Sequence, residues 1–126
     1  MKSVICALLI FIFIIVTGVS SIIYVNRCID EMLQFVYGNE IYFSNSMWEE
    51  AEKEIIKTEK LWAKKRPVLS AFLDHEITGE VDRAVVKLKN AIKMRKMDDF
   101  FYECDNLKLI LSNIKEQQKV SIENIF

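Results

Sequence analysis

The sequence predicts an all-α protein in which an N-terminal transmembrane helix continues into an antiparallel bundle of about four helices. Hydrophobic residues make up 52% of the 126 residues although 28% are charged, and they are concentrated in a charge-free run near the N-terminus. Downstream of that run, apolar residues recur every three or four positions, which is the period of a helix with one buried face. With three glycines and one proline, the chain lacks the turn residues of a β-sandwich, and no segment alternates as a strand does.

Residues 1–26 are predicted to form a transmembrane anchor, because no charged residue lies between Lys2 and Arg27. A helix from Val4 to Val25 would be about 33 Å long, which is enough to cross the hydrocarbon core of a bilayer. The alternative is a cleaved signal peptide whose small residues 17–21 mark the cleavage region. The apolar run resumes after these small residues, which favours an anchor that is retained.

The flanking charges predict the orientation of this anchor. A short N-terminus that carries a lysine usually stays in the cytoplasm, which places the residues beyond Arg27 outside it. We therefore expect a single-pass protein of the cell membrane with an extracytoplasmic helical domain. Secretion after signal cleavage is the alternative location.

The anchor helix is expected to continue beyond the membrane at least as far as Tyr37. Ile29 and Val36 extend the helical spacing of apolar residues past the charge-free run. The Gly38–Asn39 pair allows a helix end, because both residues tolerate positive φ. Otherwise the helix reaches Phe43 and accepts the glycine at a cost of about 1 kcal/mol.

A second helix is predicted to begin at Ser46. Ser46 and Glu49 fit a capping box, in which each side chain accepts a hydrogen bond from the other residue's backbone N–H. Trp48 and Trp62 are fourteen residues apart and therefore lie on one face of this helix.

Proline and glycine mark the expected breaks that follow. Pro67 is predicted to begin a short helix over residues 68–73, because proline suits a first turn and disrupts a helix interior. Gly79 is predicted to lie in a loop before the next helix, and residues 94–97 form a tight connection with Asp98 as N-cap. The apolar stripes of the last two helices are Val81, Val85, Leu88 and Ile92, then Phe100, Cys104, Leu107, Leu111 and Ile114.

The bundle domain is assigned to residues 27–119 and a C-terminal tail to residues 120–126, where apolar and polar residues are interspersed. Two interpretations of the tail remain open. Ser121 caps a final helical turn that packs back on the bundle, or the tail is an exposed peptide that docks in a partner protein, a recognition mode in which a terminal carboxylate contributes. The candidate partner-binding residues are Ser121, Glu123, Asn124, Ile125 and Phe126.

The sequence contains no catalytic, cofactor or metal-binding motif, and we predict that the protein is not an enzyme. The single histidine, His75, follows Asp74 at an expected corner between helices, where either side chain is expected to cap a helix end. The Glu-x-x-His spacing of a helical metal site is absent. Cys104 lies on an apolar stripe and is expected to be a buried thiol, and a disulfide with Cys28 is the alternative for an external domain.

The charges beyond residue 26 nearly balance, which argues against nucleic acid as a partner. A basic run within residues 57–66 is interpreted as a solvated face, with anionic lipid headgroups as the alternative contact. The expected partners are the bilayer and a membrane protein, and self-association stays open.

Several residues together resemble a known family. The specific features are the Asp74–His75 pair and the ending Ser-x-Glu-Asn-Ile-Phe of residues 121–126, supported by Trp48 and Trp62. They resemble the bacterial domain-of-unknown-function family forty-three sixty-three, small proteins with an N-terminal membrane segment, over essentially the whole chain. The resemblance implies a membrane location in Gram-positive bacteria and genes beside those of another uncharacterised membrane family, but no activity. Residues 77–79 replace an acidic, isoleucine-rich stretch of that family, which argues against ligand binding there.

The expected function is protein binding by a helical domain that the anchor holds close to the bilayer, as an interaction module or accessory subunit of a membrane partner. The alternative is a small-ligand sensor with Trp48 and Trp62 lining a pocket. A cavity beside the tryptophans would favour the sensor, whereas a filled core with an exposed apolar patch would favour the interaction module.

Overall fold

The computed structural model describes the backbone of residues 1–125 and the side chains of residues 1–124. This part of the chain contains no strand and four helices, α1 (Lys2–Ser44), α2 (Trp48–Leu69), α3 (His75–Lys93) and α4 (Met97–Ile125). Each helix packs against its neighbours in sequence, and α1 also packs against α4. The helices therefore close into an up-down-up-down bundle, which confirms the predicted all-α fold.

Helix α1 contributes to two parts of the molecule. Its first 14 residues or so are exposed, whereas Ile22, Val25, Ile29 and Val36 are buried among the other helices. Within residues 1–125, α1 is the one helix long and apolar enough to cross a membrane, and a signal sequence would meet the same criteria. Because α1 runs without interruption to Ser44, the longer of the two predicted alternatives for this helix is confirmed.

Helices α1 and α2 approach each other closely at Gly38. A Cβ atom added there would lie 3.3 Å from Glu54 Oε1, so the missing side chain leaves room for the Glu54 side chain of α2. Next to it, the amide of Asn39 donates a 3.4 Å hydrogen bond to Thr58 Oγ1, and both residues are fully buried. The glycine therefore sits at a helix–helix contact, where packing offsets its low helix propensity.

Two predicted features of α2 are wrong. Ser46 does not cap the helix: α2 follows Met47, no side chain of the described residues caps it, and Ser46 has a φ of 58°. Pro67 does not begin a new helix, because α2 runs through it to Leu69 and the chain then turns through residues 70–73. Ala63, whose carbonyl loses its partner at Pro67, is an exposed residue, so the missing hydrogen bond falls on the solvent side of the helix.

The predicted start of α3 is also wrong, because Gly79 lies inside this helix and not in a loop. Helix α3 begins at His75, and the buried Thr78 donates its hydroxyl to the His75 carbonyl in the first turn. The burial of Thr78 and the packing of Ile77 against the core hold this turn in place.

The second half of the bundle otherwise follows the prediction. The tight connection after α3 is confirmed, and every residue of the two predicted apolar stripes is buried. Asp98 lies in the first turn of α4 and not at its N-cap, because the helix already begins at Met97. Its carboxylate still complements the positive end of the helix dipole.

Polar contacts join α3 to α2 at two levels. The Trp62 indole N–H donates a 2.6 Å hydrogen bond to Asp82, and the Arg66 guanidinium pairs with the same carboxylate at 2.8 Å. Lys89, about two turns after Asp82 in α3, pairs with Glu59 of α2. Partial desolvation acts to raise the pKa of Asp82, but the hydrogen bonds from Arg66 and Trp62 prevail and hold it below its ordinary value.

Two ion pairs join α4 to α1. Lys108 contacts Glu40 at 2.6 Å, and Lys115 contacts Asp30 at the same distance. The hydrogen bond from Lys108 to Glu40 raises the pKa of that lysine. These pairs form in the same register of α4 along α1 that stacks Phe43 on Phe100.

We predict that Asp82→Asn lowers the free energy of unfolding by about 1–2 kcal/mol at neutral pH, because the indole and the guanidinium lose a charged acceptor. A carboxyl group with a depressed pKa contributes stability above its unfolded pKa and loses it as pH falls through its folded pKa. The difference between parent and variant should therefore shrink below about pH 4. Urea unfolding in detergent micelles at neutral and acidic pH measures both effects.

The exposed Asp105, which contacts only Lys108 in the next turn, supplies the matched control Asp105→Asn, for which we expect little change. An Asp82→Asn loss that is the same at both pH values would contradict the predicted role of the ionised carboxylate.

Candidate functional site

The corner between α2 and α3 contains the predicted special pair. Asp74 occupies the N-cap position of α3, but its side chain makes no capping hydrogen bond within the described residues, so it does not form the expected side-chain cap. His75 is the first residue of the helix and is exposed. Among the described residues, no three His, Cys, Asp or Glu side chains lie close enough together to hold a metal ion.

The predicted C-terminal tail is a continuation of α4, which runs without a break to Ile125. Ser121 donates its hydroxyl to the Gln117 carbonyl, as a residue inside a helix does, and Glu123 and Asn124 are exposed. Phe126 and the side chain of Ile125 lie outside the described residues. The described part of the tail is thus presented as the end of a helix and not as an extended peptide.

The two tryptophans have different surroundings. Trp62 is buried and hydrogen-bonded to Asp82, whereas the half-buried Trp48 packs edge-on against Phe43 at 4.9 Å. Five of the grooves on the described surface have volumes of about 250–330 Å³, and neither tryptophan lines any of these five. The sensor hypothesis expects Trp48 and Trp62 to line one pocket. None of these five grooves is such a pocket.

Two cysteines are buried in the bundle, and all three lie as free thiols in the described part of the chain. Cys28 and Cys104 are almost fully shielded from solvent, whereas Cys6 is exposed in the apolar segment. Desolvation by burial, helped by the nearby Glu40 carboxylate, raises the pKa of the Cys104 thiol. This thiol is therefore protonated and unreactive in the folded protein.

An aromatic cluster closes the end of the bundle that is remote from the apolar segment. Phe43 of α1 stacks on Phe100 of α4 at 3.9 Å and contacts Trp48 of α2. Phe101 packs edge-on against Phe100 at 5.2 Å, and the Arg95 guanidinium lies 5.4 Å from the centre of the Trp48 ring. The cluster thus joins α1, α2, α4 and the connection between α3 and α4.

The two connections at this end have the same backbone geometry. Each is three residues long, and its middle residue is left-handed, with a φ of 58° at Ser46 and 53° at Arg95. The Met47 N–H bonds to the Tyr42 carbonyl at 2.8 Å, and the Lys96 N–H bonds to the Ala91 carbonyl at 3.0 Å. Both are Schellman helix ends, in which glycine is the usual left-handed residue.

Exposed apolar side chains surround these connections. Tyr102 is 70% exposed and Met94 63% exposed, although both are large and apolar. Methionine adapts its shape to a partner, and exposed apolar side chains grouped at one place mark interaction sites. We define the tip patch as Met47, Met94, Met97, Phe101 and Tyr102. Sequence reasoning missed this patch because it treated both connections as linkers.

The comparisons with known proteins identify a family without assigning an activity. The family model described as "Domain of unknown function (DUF4363)" matches residues 19–125, and the chain belongs to this family. The match begins where α1 starts to contact the other helices, so it covers the bundle and little of the apolar segment. No curated protein and no solved structure matches the chain.

We predict that Ser46→Gly raises the free energy of unfolding by about 0.5–1 kcal/mol, because glycine adopts the left-handed conformation without a steric penalty. Ser112 is exposed within α4, so Ser112→Gly is the matched control and should lower stability by about 0.5 kcal/mol. Thermal unfolding of both variants measures the contrast. Destabilisation by both glycines would mean that Ser46 carries no backbone strain.

Proposed function

We propose that this DUF4363 protein is a single-pass membrane protein whose bundle binds a membrane protein partner through the tip patch. The observation that carries the proposal is the pairing of an exposed apolar helix at one end of the molecule with an exposed apolar patch at the other. In this proposal the protein acts by holding the tip patch at a set distance from the bilayer.

The first part of the proposal, the anchor, rests on the apolar segment of α1. Most of its large side chains, including Leu9 and Phe11, are more than half exposed, because the other helices of the described chain do not cover them. Such a surface is stable in lipid and costly in water. The anchor helix also forms one wall of the bundle without a break, which limits how far the bundle can tilt on it.

The second part, the height of the tip patch, follows from helix length. Helix α2 has 22 residues and therefore spans about 33 Å between the corner at residues 70–74 and the connection at residues 45–47. A partner that reaches the tip patch must extend by about that distance from the bilayer. This requirement favours a membrane protein with its own extramembrane domain.

The surroundings of the tryptophans support an interaction module over a ligand sensor. Trp48 packs edge-on against the buried Phe43. Trp62 is itself buried and donates its indole N–H to Asp82. A module of this kind acts through a few large side chains that a partner covers. Tyr102 and the methionines of the tip patch are side chains of this type.

We predict that a photoreactive amino acid at Tyr102 crosslinks to a membrane protein in native membranes. Val86 is 53% exposed on α3 away from both ends, and the same label there serves as the control that yields no such adduct. Adding Met94→Asp and Met97→Asp should abolish the Tyr102 adduct while circular dichroism stays unchanged, because charge in an apolar contact must be desolvated. Equal adducts from both positions would contradict the assignment of the tip patch.

The expected orientation gives a separate prediction. Protease added to intact protoplasts should digest the chain beyond Arg27, because the bundle lies outside the cytoplasm in this orientation. Immunoblots against a tag at each end report the cleavage, and disrupted protoplasts provide the control for protease access. Full protection of the bundle in intact cells would reverse the proposed topology and leave the anchor itself in place.

A further inference from the structure

The lower end of the bundle is the end that contains the corner at residues 70–74 and the C-terminal end of α4. One contact of α2 and one contact of α4 locate it along α1. The Lys65 ammonium lies 5.6 Å from the centre of the Tyr24 ring, which places this turn of α2 level with residue 24. Leu69 lies four residues further along α2, about 6 Å nearer to the N-terminal end of α1 and thus near residue 20. The corner at residues 70–74 follows directly.

A contact between α4 and α1 independently gives the same position along α1. Lys115 contacts Asp30 at 2.6 Å, and Ile125 lies ten residues, or about 15 Å, further down α4. Its end is therefore also near residue 20 of α1. Burial along α1 agrees with both estimates, because Val19 is half-buried and Ile22 is the first buried residue of the helix.

The bundle and the apolar segment therefore overlap. The charge-free run continues to Asn26, whereas the other helices already pack on one face of α1 from about residue 20. If the anchor spans a bilayer, the lower end of the bundle must lie at the boundary between acyl chains and headgroups. Side chains exposed at this level face that boundary and not bulk water.

The side chains exposed there have the character that this boundary favours. Lys64 and Val68 are four residues apart in α2 and therefore share a face. Phe72 follows in the turn after Leu69, where its N–H bonds to the Leu69 carbonyl and keeps it beside this end of α2. Val68 is 46% exposed and Phe72 is 49% exposed. We define the base patch as Lys64, Lys65, Val68 and Phe72.

We propose that the base patch is a membrane-binding surface, in which Val68 and Phe72 enter the headgroup region and Lys64 and Lys65 contact anionic lipid phosphates. The proposal rests on the proposed membrane anchor, which delivers the patch to the bilayer surface. Lipid is the occupant that fits because the apolar part of α1 leaves the bundle at this same level. The sequence alone had favoured a solvated face for this basic run.

The charge distribution limits the contact to one side of the bundle. Lys64 and Lys65 carry no carboxylate partner among the described contacts, whereas Arg66 is already paired with Asp82. The acidic Asp74 and Glu76 are exposed at the start of α3 and line a groove between α3 and α4. Anionic lipid therefore attracts the α2 side and repels the α3 side, which sets the direction in which the bundle leans.

The test uses an environment-sensitive NBD fluorophore on a single accessible thiol of the full chain in vesicles. Cys6→Ser removes the exposed native thiol, and the two buried thiols are shielded by the fold. The reporter Ala71→Cys lies beside the base patch and keeps Phe72. Tyr102→Cys reports the tip patch, and Ile10→Cys reports the anchor.

In vesicles of phosphatidylglycerol and phosphatidylcholine, we expect bright NBD emission at Ala71→Cys that spin-labelled lipid quenches, with dim and unquenched emission at Tyr102→Cys. Quenching at Ile10→Cys without quenching at Ala71→Cys would overturn the base patch and leave the anchor standing. Absence of quenching at both positions would overturn the anchor and the base patch together.

Substitutions separate the apolar and the electrostatic components of the contact between the base patch and lipid. Phe72→Ser should shift the Ala71→Cys reporter toward the dim, water-exposed population. Each lysine near an anionic surface changes occupancy by about fivefold, so Lys64→Gln should lower the ratio of bright to dim populations by about that factor. Lys53→Gln, an exposed lysine nearer the tip, should leave the ratio unchanged. Equal ratios in vesicles of phosphatidylcholine alone would refute the role of anionic lipid.

Discussion

The continuity of α1 is the constraint on which the rest of the structure depends. One helix of 43 residues carries the apolar segment at its start and a wall of the bundle at its end. Because this helix is not broken at Gly38 or Asn39, α2 and α4 can pack along one continuous buried face that runs to Phe43. Every packing contact of α2 and α4 on α1 therefore also determines where these helices lie relative to the apolar segment.

The register of the bundle is set by contacts whose partners are far apart in the sequence. Apolar stripes alone allow neighbouring helices to slide by a turn, because similar side chains recur every three or four residues. The pairs Asp30–Lys115 and Glu40–Lys108 select one register for α4, and Asp82 with Trp62 selects one for α3. The aromatic cluster around Phe43 then closes the end where the two Schellman connections meet.

Sequence reasoning succeeded where one local pattern decided the outcome and failed where tertiary contacts opposed it. The apolar stripe that ends in Leu111 and Ile114 was predicted because burial follows helical period directly. The breaks predicted at Pro67 and Gly79 are both wrong, because other factors outweigh the low helix propensity of these residues. At Pro67 the missing hydrogen bond lies on the solvent side of α2. At Gly79 the packing of the first turn of α3 keeps the residue in the helix. The tip patch lay beyond prediction, because it is created by two connections that only the fold brings to the same end.

In the proposed arrangement, the two ends of the bundle have complementary roles that a continuous helix can link. A lipid contact at Phe72 restrains the tilt of the bundle about α1, and any change of tilt moves the tip patch sideways by a distance that grows with its height. The backbone strain at Ser46 and Arg95 is confined to the connections beside the tip patch, whereas α1 has no break at which the bundle would swing. Composition of the bilayer at the base would therefore act on partner binding through orientation, without any rearrangement of the core.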